Sequence, residues 1–280
     1  MHWFNAHRFD CDFHTKKGRM SDKMELSTVE RRRVILEELE KNKQVKMTDL
    51  FGLFEVSKVT LRKDLQYLES RNLLIRSRGG AMLPVKVADD LSVKQRMVLN
   101  LEQKKAIAKS AASLIKEGDT IIIDSGTSLM QLACLLPKMQ NLTVITNALD
   151  IALKLSEYNH LKIIVPGGVF RKNSSSLVGT LAADNFRMFR ADKYFVSADG
   201  ITEEGVFTSN LEEGQLAKMI LSNAKENILL VDSSKFNRMG IINYSSLEKF
   251  NIVITDKNIP REYQKLLSNL DIKVIISDRE

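Results

Sequence analysis

The sequence predicts an α/β chain with a small helical N-terminal part and a larger part built on a parallel sheet. Between residues 28 and 83, three short amphipathic segments precede a basic Gly-Gly pair. From residue 120 onward, apolar runs of five or six residues alternate with helical patterns, as in a doubly wound sheet. A length of 280 residues is sufficient for two domains, each with its own hydrophobic core.

Charge is distributed unevenly along the chain. Residues 1–88 contain 18 Lys/Arg and 12 Asp/Glu, a net +6, whereas residues 89–280 contain 24 and 23, a net +1. A basic N-terminal third indicates contact with a polyanion, although a solvated charged surface gives the same count. No apolar run approaches the ~20 residues that cross a bilayer. Cys11 and Cys134 are far apart in sequence, which disfavours a disulfide and favours a reducing cytoplasm.

Residues 1–23 have no hydrophobic periodicity and lack the apolar core of a signal peptide. We predict a disordered leader or a start-site artefact, with a later methionine as the true first residue. His7, Cys11 and His14 do not match the spacing of a standard zinc site and lack a fourth ligand, so no metal site is predicted.

The first domain is predicted to span residues 24–83 and to begin with three helices. The first helix is expected from Thr28, a suitable N-cap, to Asn42, and the second from Met47 to Phe54. Ser57 is expected to cap a third helix that runs to about Arg71. The predicted inward-facing residues of the first and third helices are Val29, Ile35, Leu36, Leu39, Leu61, Leu65 and Leu68.

Short strands are predicted at residues 73–75 and 81–83, on either side of Gly79-Gly80, and this order of elements is a winged helix-turn-helix. The third helix is about 22 Å long at 1.5 Å per residue, and a helix fits the major groove of B-DNA. The predicted DNA-binding residues are hydroxyls and cations of this helix and the arginines of the wing: Ser57, Lys58, Thr60, Arg62, Lys63, Arg76 and Arg78. A charged helical hairpin without a DNA-binding role is the alternative.

Residues 84–99 carry scattered charges and are predicted to be a linker, followed by a second domain at residues 100–280. Its predicted strands lie at 120–124, 142–146, 161–165, 193–198, 227–232, 251–255 and 272–276. Several are near-continuous apolar runs, as strands covered on both faces require. Helices are predicted between them at 104–115, 129–136, 149–156, 211–224 and 261–270.

Polar residues follow several of these strands. Residues 124–128, Asp-Ser-Gly-Thr-Ser, stand between a strand and a helix, where open α/β sheets bind ligands and where N–H and hydroxyl donors suit a phosphate. They match neither a Walker loop nor a dinucleotide fingerprint, and a tight capped turn explains this loop alone equally well. Residues 146–147, 166–168, 199–200 and 232–235 follow other strands in the same way. Their convergence on one sheet edge predicts a pocket.

The first domain resembles the DNA-binding domain of the DeoR family of bacterial sugar-responsive transcriptional regulators. The residues that carry the resemblance are Glu30-Arg31-Arg32, Ile35-Leu36, Val56-Ser57, residues 60–65 (Thr-Leu-Arg-Lys-Asp-Leu) and residues 78–81 (Arg-Gly-Gly-Ala). Lys63 stands where the family usually has a second arginine, so a bidentate guanine contact is not expected there. Asn42 and Asn72 stand where the family commonly has glycine, and asparagine tolerates the same helix-ending conformation.

The second domain resembles the family's sensor domain, which is similar in fold to ribose-5-phosphate isomerase and glucosamine-6-phosphate deaminase. The shared landmarks are DSGT (124–127), TNA (146–148), GG (167–168), SLVG (176–179), ADG (198–200) and DSSK (232–235). The resemblance implies an effector phosphate at residues 125–128 and a sugar end farther along the pocket, with Arg171 as a weaker candidate. The predicted effector-binding residues are Asp124, Ser125, Gly126, Thr127, Ser128, Asn147, Gly167, Gly168, Asp199 and Lys235.

Both resemblances together cover roughly residues 25–280 and imply a cytoplasmic transcription factor, most often a repressor in this family. It is expected to bind operator DNA and to respond to a phosphorylated sugar, without a cofactor. A homo-oligomer is expected because one short helix reads few bases. One alternative is a phosphosugar isomerase or deaminase with an appended DNA-binding domain, but Thr202 stands where we would look for a second carboxylate. A protein-interaction module is the other alternative, and it predicts no salt-dependent DNA binding.

Overall fold

The computed structural model describes residues 26–42, 44–70, 74–77, 79–82, 86–87 and 92–277. The chain divides into two compact units between Pro84 and Val85. The predicted leader with its histidines and Cys11, together with Asn72 and the wing residue Arg78, lies outside the described residues.

The first unit contains helices and a small antiparallel sheet. Its elements are α1 (Thr28–Asn42), β1 (Gln44–Lys46), α2 (Met47–Leu53), α3 (Lys58–Glu69), β2 (Ile75–Ser77) and β3 (Gly80–Met82). The strand order β1-β3-β2 means that the predicted wing hairpin is extended by a strand that the sequence did not predict. Val45 is flanked by the polar residues Gln44 and Lys46, so β1 carries almost no hydrophobic signal.

The apolar faces of the three helices meet in one core. Leu61, Leu65 and Leu68 of α3 are at most 2% exposed, which confirms the predicted stripe. The other buried members of this core are Ile35, Leu39, Val45, Leu50, Phe54, Leu74 and Ala81. The prediction for Val29 is wrong, because this side chain is 78% exposed. The buried positions of α1 are Arg31, Ile35 and Leu39, each four residues after the last, and Val29 does not fall on that face.

The second unit alternates strands and helices along most of its length. Its elements are β4 (Lys86–Val87), α4 (Val93–Met97), α5 (Leu101–Ala112), β5 (Thr120–Ile123), α6 (Thr127–Ala133), β6 (Thr143–Thr146), α7 (Leu149–Leu155), β7 (Lys162–Ile164), β8 (Val169–Arg171), β9 (Ser176–Val178), α8 (Thr180–Phe186), β10 (Ala191–Val196), β11 (Gly200–Thr202), β12 (Gly205–Thr208), α9 (Leu211–Ile220), β13 (Ala224–Leu230), β14 (Arg238–Met239), β15 (Ile242–Ser245), β16 (Ile252–Asp256), α10 (Arg261–Asn269) and β17 (Lys273–Ser277).

A seven-stranded parallel sheet in the order β17-β16-β13-β10-β5-β6-β7 forms the centre of this unit. All seven predicted strands belong to it, which confirms the doubly wound α/β fold. Successive residues of a strand point to opposite faces, so Ile121 and Ile123 pack towards α5, α6 and α7, whereas Ile122 packs towards α8, α9 and α10. The chain runs from β5 to β6 in one direction and later adds β10 on the other side of β5. The crevice at this reversal is where such sheets bind ligands.

Smaller elements surround the carboxyl ends of the central strands. They are the antiparallel sheet β11-β12-β15, the hairpin β8-β9 and the parallel pair β4-β14. The range predicted as a linker contains β4 and the helix α4. In the part of the chain that the structure describes, no helix is long and apolar enough to cross a membrane.

Candidate nucleic-acid interface and effector cleft

The start of α3 is fixed by a side-chain cap. The Ser57 hydroxyl accepts a hydrogen bond from the Thr60 backbone N–H at 3.1 Å, and the two hydroxyl oxygens are 3.0 Å apart. A serine cap of this kind satisfies one of the free N–H groups of the first helical turn. Both hydroxyls therefore support the helix as well as belonging to the predicted interface.

Cations cover the outward face of the first two turns of α3. Lys58, Arg62 and Lys63 are exposed, and the Lys58 ammonium lies 5.4 Å from the centre of the Phe51 ring. Arg62 and Lys63 form no ion pair with any described residue. Val59 lies on the same face and is 59% exposed. This face combines exposed positive charge with one exposed apolar side chain, Val59.

The wing is tied to the end of α3 by Arg76. Its Nε lies 2.6 Å from Glu69 Oε2, and its backbone N–H donates to Glu69 Oε1 at 3.1 Å. Gly80 allows the wing to pair with β1, because a Cβ there would lie 1.8 Å from the Val45 carbonyl oxygen. The predicted wing residue Arg76 therefore also holds the hairpin against α3, whereas Arg78 lies outside the described residues.

A buried ion pair holds α3 against α1. Arg31 Nε donates to Asp64 Oδ2 at 2.6 Å and Arg32 Nε donates to Asp64 Oδ1 at 2.8 Å. The Arg31 and Asp64 side chains are 5% and 2% exposed. Arg32 also stacks over Tyr67, with its guanidinium carbon 3.7 Å from the ring centre. The position of α3 therefore depends on an ion pair that lies beneath the predicted interface.

The carboxyl ends of β5, β10 and β13 converge on a cleft in the second unit. Residues 124–128 follow β5, residues 197–199 follow β10 and residues 232–235 follow β13. The cleft has two connected parts that share Arg96, Ser197, Ala198 and Asp199. The larger part has an open volume of about 580 Å³. We call it the basic part and the other the acidic part, according to the charges that line them.

Four cations line the basic part, Arg96, Lys104, Lys235 and Arg238, against the two carboxylates Asp199 and Asp232. The Lys235 ammonium has no hydrogen bond or ion pair with any described residue. Burial lowers the pKa of Lys235, and the negative charges of Asp199 and Asp232 oppose this shift. The buried Nε atoms of Arg96 and Arg238 also lack an acceptor. This surplus of unpaired donors and positive charge suits an anion.

Lys104 serves the structure of the cleft wall. Its ammonium donates to the carbonyl oxygens of Arg96 and Leu99, both at 2.6 Å. Burial lowers the pKa of Lys104 to about 8, although Asp232 opposes the shift. The lysine thus closes the end of α4 against the cleft while still contributing positive charge.

The acidic part contains Asp124, Asp199 and Glu213, with Arg96 as the cation among its lining residues. Burial raises the pKa of Asp124 to about 6, although hydrogen bonds from the Ser125 N–H and the Tyr194 hydroxyl favour the carboxylate. Burial also raises the pKa of Glu213, which lies 3.2 Å from an Arg171 nitrogen. Carboxylate oxygens are suitable acceptors for the hydroxyl groups of a polyol.

Two known family models match this chain, one over the helical first unit and one over most of the second unit. Residues 31–87 match the sequence model of the DeoR-like helix-turn-helix domain, and residues 99–257 match that of the DeoR C terminal sensor domain. The chain belongs to the DeoR family. It is a DNA-binding transcriptional regulator, and the names of its family and relatives indicate regulators rather than enzymes.

Relatives of this DeoR-family protein match it over most of their length. The lactose phosphotransferase system repressor of Lactococcus lactis subsp. lactis is 36% identical over 82% of this chain and 91% of that protein. The transcriptional repressor GlcR of Bacillus subtilis (strain 168) is 30% identical over 90% and 97%. Among solved structures, a D-ribose-5-phosphate isomerase in complex with phospho-erythronic acid is 17% identical over 61% of this chain and 66% of that chain, with a TM-score of 0.37.

The cleft of the DeoR-family protein brings together most of the predicted effector residues. Asp124, Ser125 and Asp199 line the acidic part, and Gly126, Thr127, Ser128, Asp199 and Lys235 line the basic part. Asn147 lies beneath it, 1% exposed, with a buried side-chain oxygen that has no partner. Gly167 and Gly168 line neither part. A Cβ on Gly168 would lie 2.9 Å from the Ala182 Cβ, so this glycine permits close packing on α8.

Sequence reasoning missed several residues of the cleft, namely Arg96, Asn100, Lys104, Glu213, Arg238 and Tyr244. Arg96 and Asn100 stand within or just after the range predicted as a linker. The order Ser92-Val-Lys-Gln95 is a capping-box pattern and signals the start of α4. Arg238 and Tyr244 belong to short strands that lack a periodic pattern long enough to recognise.

Proposed function

We propose that this chain represses carbohydrate-metabolism genes and that a phosphorylated sugar in the cleft modulates its affinity for operator DNA. The observation that carries the proposal is the basic part of the cleft, where four cations outnumber two carboxylates and the Lys235 ammonium has no hydrogen-bond or ion-pair partner among the described residues. The phosphate would lie against Lys235, Arg238 and the hydroxyls of residues 125–128. The sugar would extend towards Asp199, Asp124 and Glu213, which offer acceptors for its hydroxyls.

The cations contribute more to this proposal than the helix that follows the loop. The sequence suggested a phosphate at the start of α6, but this helix has only seven residues, and its N-cap residue is a glycine without a side chain. Side-chain ammonium and guanidinium groups give stronger, charge-assisted hydrogen bonds to phosphate. Recognition would therefore fail without Lys235 even if the loop kept its conformation.

A thermal-shift panel tests the effector proposal. The panel consists of ribose 5-phosphate, fructose 1-phosphate, glucose 6-phosphate and glucosamine 6-phosphate, each compared with its unphosphorylated sugar and with inorganic phosphate. A ligand present at 100 times its Kd stabilises the folded protein by about 2.7 kcal/mol. We expect at least one phosphosugar to raise the Tm of the wild type, and Lys235→Ala and Thr127→Ala to lose that rise.

Lys225→Ala is the matched control for Lys235→Ala, because the Lys225 side chain is 80% exposed and pairs with Asp192 away from the cleft. It should keep the full ligand-induced rise in Tm. If no phosphosugar raises the Tm of the wild type, or if Lys235→Ala responds as the wild type does, the effector proposal is wrong.

The DNA side of the function is proposed to rest on the α3 face and the wing: Ser57, Lys58, Thr60, Arg62, Lys63, Arg76 and Arg78. Arg62→Ala and Lys63→Ala should weaken binding to DNA fragments selected from a random library, without changing the Tm of the second unit. Loss of one phosphate contact should reduce the slope of log K against log salt by about 0.9. Wild-type affinity and slope in both variants would refute the interface.

The assembly and location of the protein are further parts of the proposal. A single α3 reads few base pairs, so we propose a homo-oligomer that presents two helices to repeated half-sites. Val169, Phe170 and Leu181 are 49% to 64% exposed and offer apolar surface for such an assembly. Light scattering coupled to size-exclusion chromatography tests it, with a single-chain mass as the contrary result. A cytoplasmic location follows from the proposed access to chromosomal DNA.

A further inference from the structure

Residues 92–100, which we call the strap, lie in sequence between the first unit and the body of the second unit, and they line the cleft. The first unit ends at Pro84, and the strap follows only a few residues later. It supplies Arg96, Leu99 and Asn100 to the lining of the basic part of the cleft. Any displacement of the strap by a ligand therefore acts on the chain segment that leads directly to the DNA-binding unit.

The strap has its own internal structure. The Ser92 hydroxyl accepts from the Gln95 N–H, and the Ser92 N–H donates to Gln95 Oε1 at 3.0 Å, which completes a capping box at the start of α4. Lys104 holds the other end through the carbonyl oxygens of Arg96 and Leu99. Because both ends are hydrogen-bonded, the strap has one defined conformation in the described structure.

Side chains of the strap reach two different walls of the cleft. Arg96 Nη1 lies 3.1 Å from Asp199 Oδ1, after β10. Asn100 Nδ2 donates to Asp232 Oδ1 at 2.9 Å and to the Ser234 hydroxyl at 3.1 Å, after β13. Just upstream, Lys86–Val87 pairs with Arg238–Met239, and Arg238 itself lines the cleft. The path between the units is thus attached to the cleft at several points.

These attachments are to the groups that an anionic ligand would affect most. Asp199 and Asp232 are the carboxylates of the basic part, and Arg96 keeps a buried Nε without an acceptor. A phosphate would offer Arg96 a bidentate acceptor while repelling the carboxylates that now hold the strap. The ligand would then bind two positions of the strap with different affinity, which is the requirement for a conformational response.

We propose that the strap couples effector binding in the cleft to the DNA affinity of the first unit. In this proposal Asn100 is the positioning residue that holds the strap in the position it has without a ligand. This inference rests on the proposed effector function. Asn100 has a left-handed backbone conformation with φ +52°, which glycine adopts without strain. Asn100→Gly therefore removes the bonds to Asp232 and Ser234 while leaving the backbone free to keep its path.

The experiment measures coupling separately from binding in the full chain. DNA affinity is measured by fluorescence anisotropy with and without the panel phosphosugar that stabilises the wild type most, and the affinity for that phosphosugar is measured by calorimetry. Allosteric coupling is typically 5- to 150-fold in affinity. Because Asn100 lines the cleft, the affinity of Asn100→Gly for the phosphosugar is measured beside its coupling, and we expect the coupling factor to fall at least about fivefold and by more than that affinity does.

Ser92→Ala is a second variant, because it removes the capping box without touching the cleft lining, and it should also reduce the coupling factor. Asn141→Gly is the matched control. Asn141 has φ +56° and donates to Glu117 at 2.7 Å, but it is not a cleft residue. It should couple like the wild type.

Wild-type coupling in both Asn100→Gly and Ser92→Ala would overturn the strap as the transmitting element. Loss of phosphosugar binding in Asn100→Gly would overturn its positioning role, because Asn100 would then be a ligand contact. A wild type that binds no panel phosphosugar in calorimetry would instead refute the effector function on which the inference rests, and the inference with it.

Discussion

Replacing Asp64 with asparagine removes the carboxylate that Arg31 and Arg32 share beneath α3. Arg31 is buried and would keep the Leu26 carbonyl oxygen at 3.1 Å and the Thr28 hydroxyl at 3.3 Å, but no negative charge. Removing one partner of a buried ion pair costs about 3–5 kcal/mol. Because two neutral acceptors remain for Arg31, we expect the lower end, about 3 kcal/mol, in the stability of the first unit.

Hydrogen exchange measured by mass spectrometry on peptides of α1 and α3 gives this loss directly. A cost of about 3 kcal/mol corresponds to roughly 100-fold faster exchange, since 1.4 kcal/mol is a factor of ten. Peptides of the central sheet in the second unit should be unchanged. DNA binding should weaken in parallel, because α3 loses its fixed position.

Arg33→Ala is the matched control. Arg33 pairs with Glu37 at 2.8 Å, but these side chains are 78% and 55% exposed. An exposed pair four residues apart on a helix contributes little to stability, so exchange should rise by no more than about twofold. If Asp64→Asn exchanges within twofold of the wild type, the buried pair does not hold α3 and the reasoning fails.

Three further predictions concern other sites. Burial raises the pKa of Asp124 to about 6 from a usual value of 3.8, so the folded state binds this proton more tightly and the stability falls as pH rises through this interval. Asp124→Asn should remove that part of the fall in Tm, and an unchanged profile of Tm against pH would contradict the raised pKa. Gly168→Ala should lower the free energy of unfolding by about 1–3 kcal/mol, because φ is +137° and the new Cβ would meet the Ala182 side chain. Gly118→Ala, which has φ +83° but open space for a Cβ, should lose less, and equal losses in chemical unfolding would contradict the packing argument. Exposed Val59 should contact a thymine methyl group, so replacing thymine with uracil in library-selected DNA should weaken DNA binding by the wild type and not by Val59→Ala. Equal weakening of DNA binding in both proteins would exclude this contact.

The sequence predicted the central sheet well because its strands carry a strong local signal. Residues 120–123 and 252–256 are almost entirely apolar or β-branched and are covered on both faces, so they are recognisable without tertiary information. β8 was missed because it is short and exposes Val169 and Phe170. No apolar periodicity marks it.

The sites were only partly predictable for the same reason. The loop at residues 124–128 follows a recognisable strand, so its place at the sheet edge could be inferred. Arg96 reaches the cleft from a helix of five residues, and its partner Asp199 is 103 positions away in the sequence. The pairing of Arg76 with Glu69 also depends on how the wing folds back on α3. Contacts of this kind depend on tertiary packing and produce no recognisable spacing pattern in the sequence.

The most direct test of the account is an anisotropy titration of labelled, library-selected DNA with the full chain at one salt concentration. The titration is repeated with a phosphosugar from the panel and with the same sugar lacking its phosphate. We predict that the phosphosugar changes the apparent Kd for DNA by about 5- to 150-fold and that the unphosphorylated sugar does not, with Lys235→Ala unresponsive to both. An unchanged Kd with every phosphosugar of the panel, or an equal response in Lys235→Ala, would contradict a phosphosugar-gated regulator.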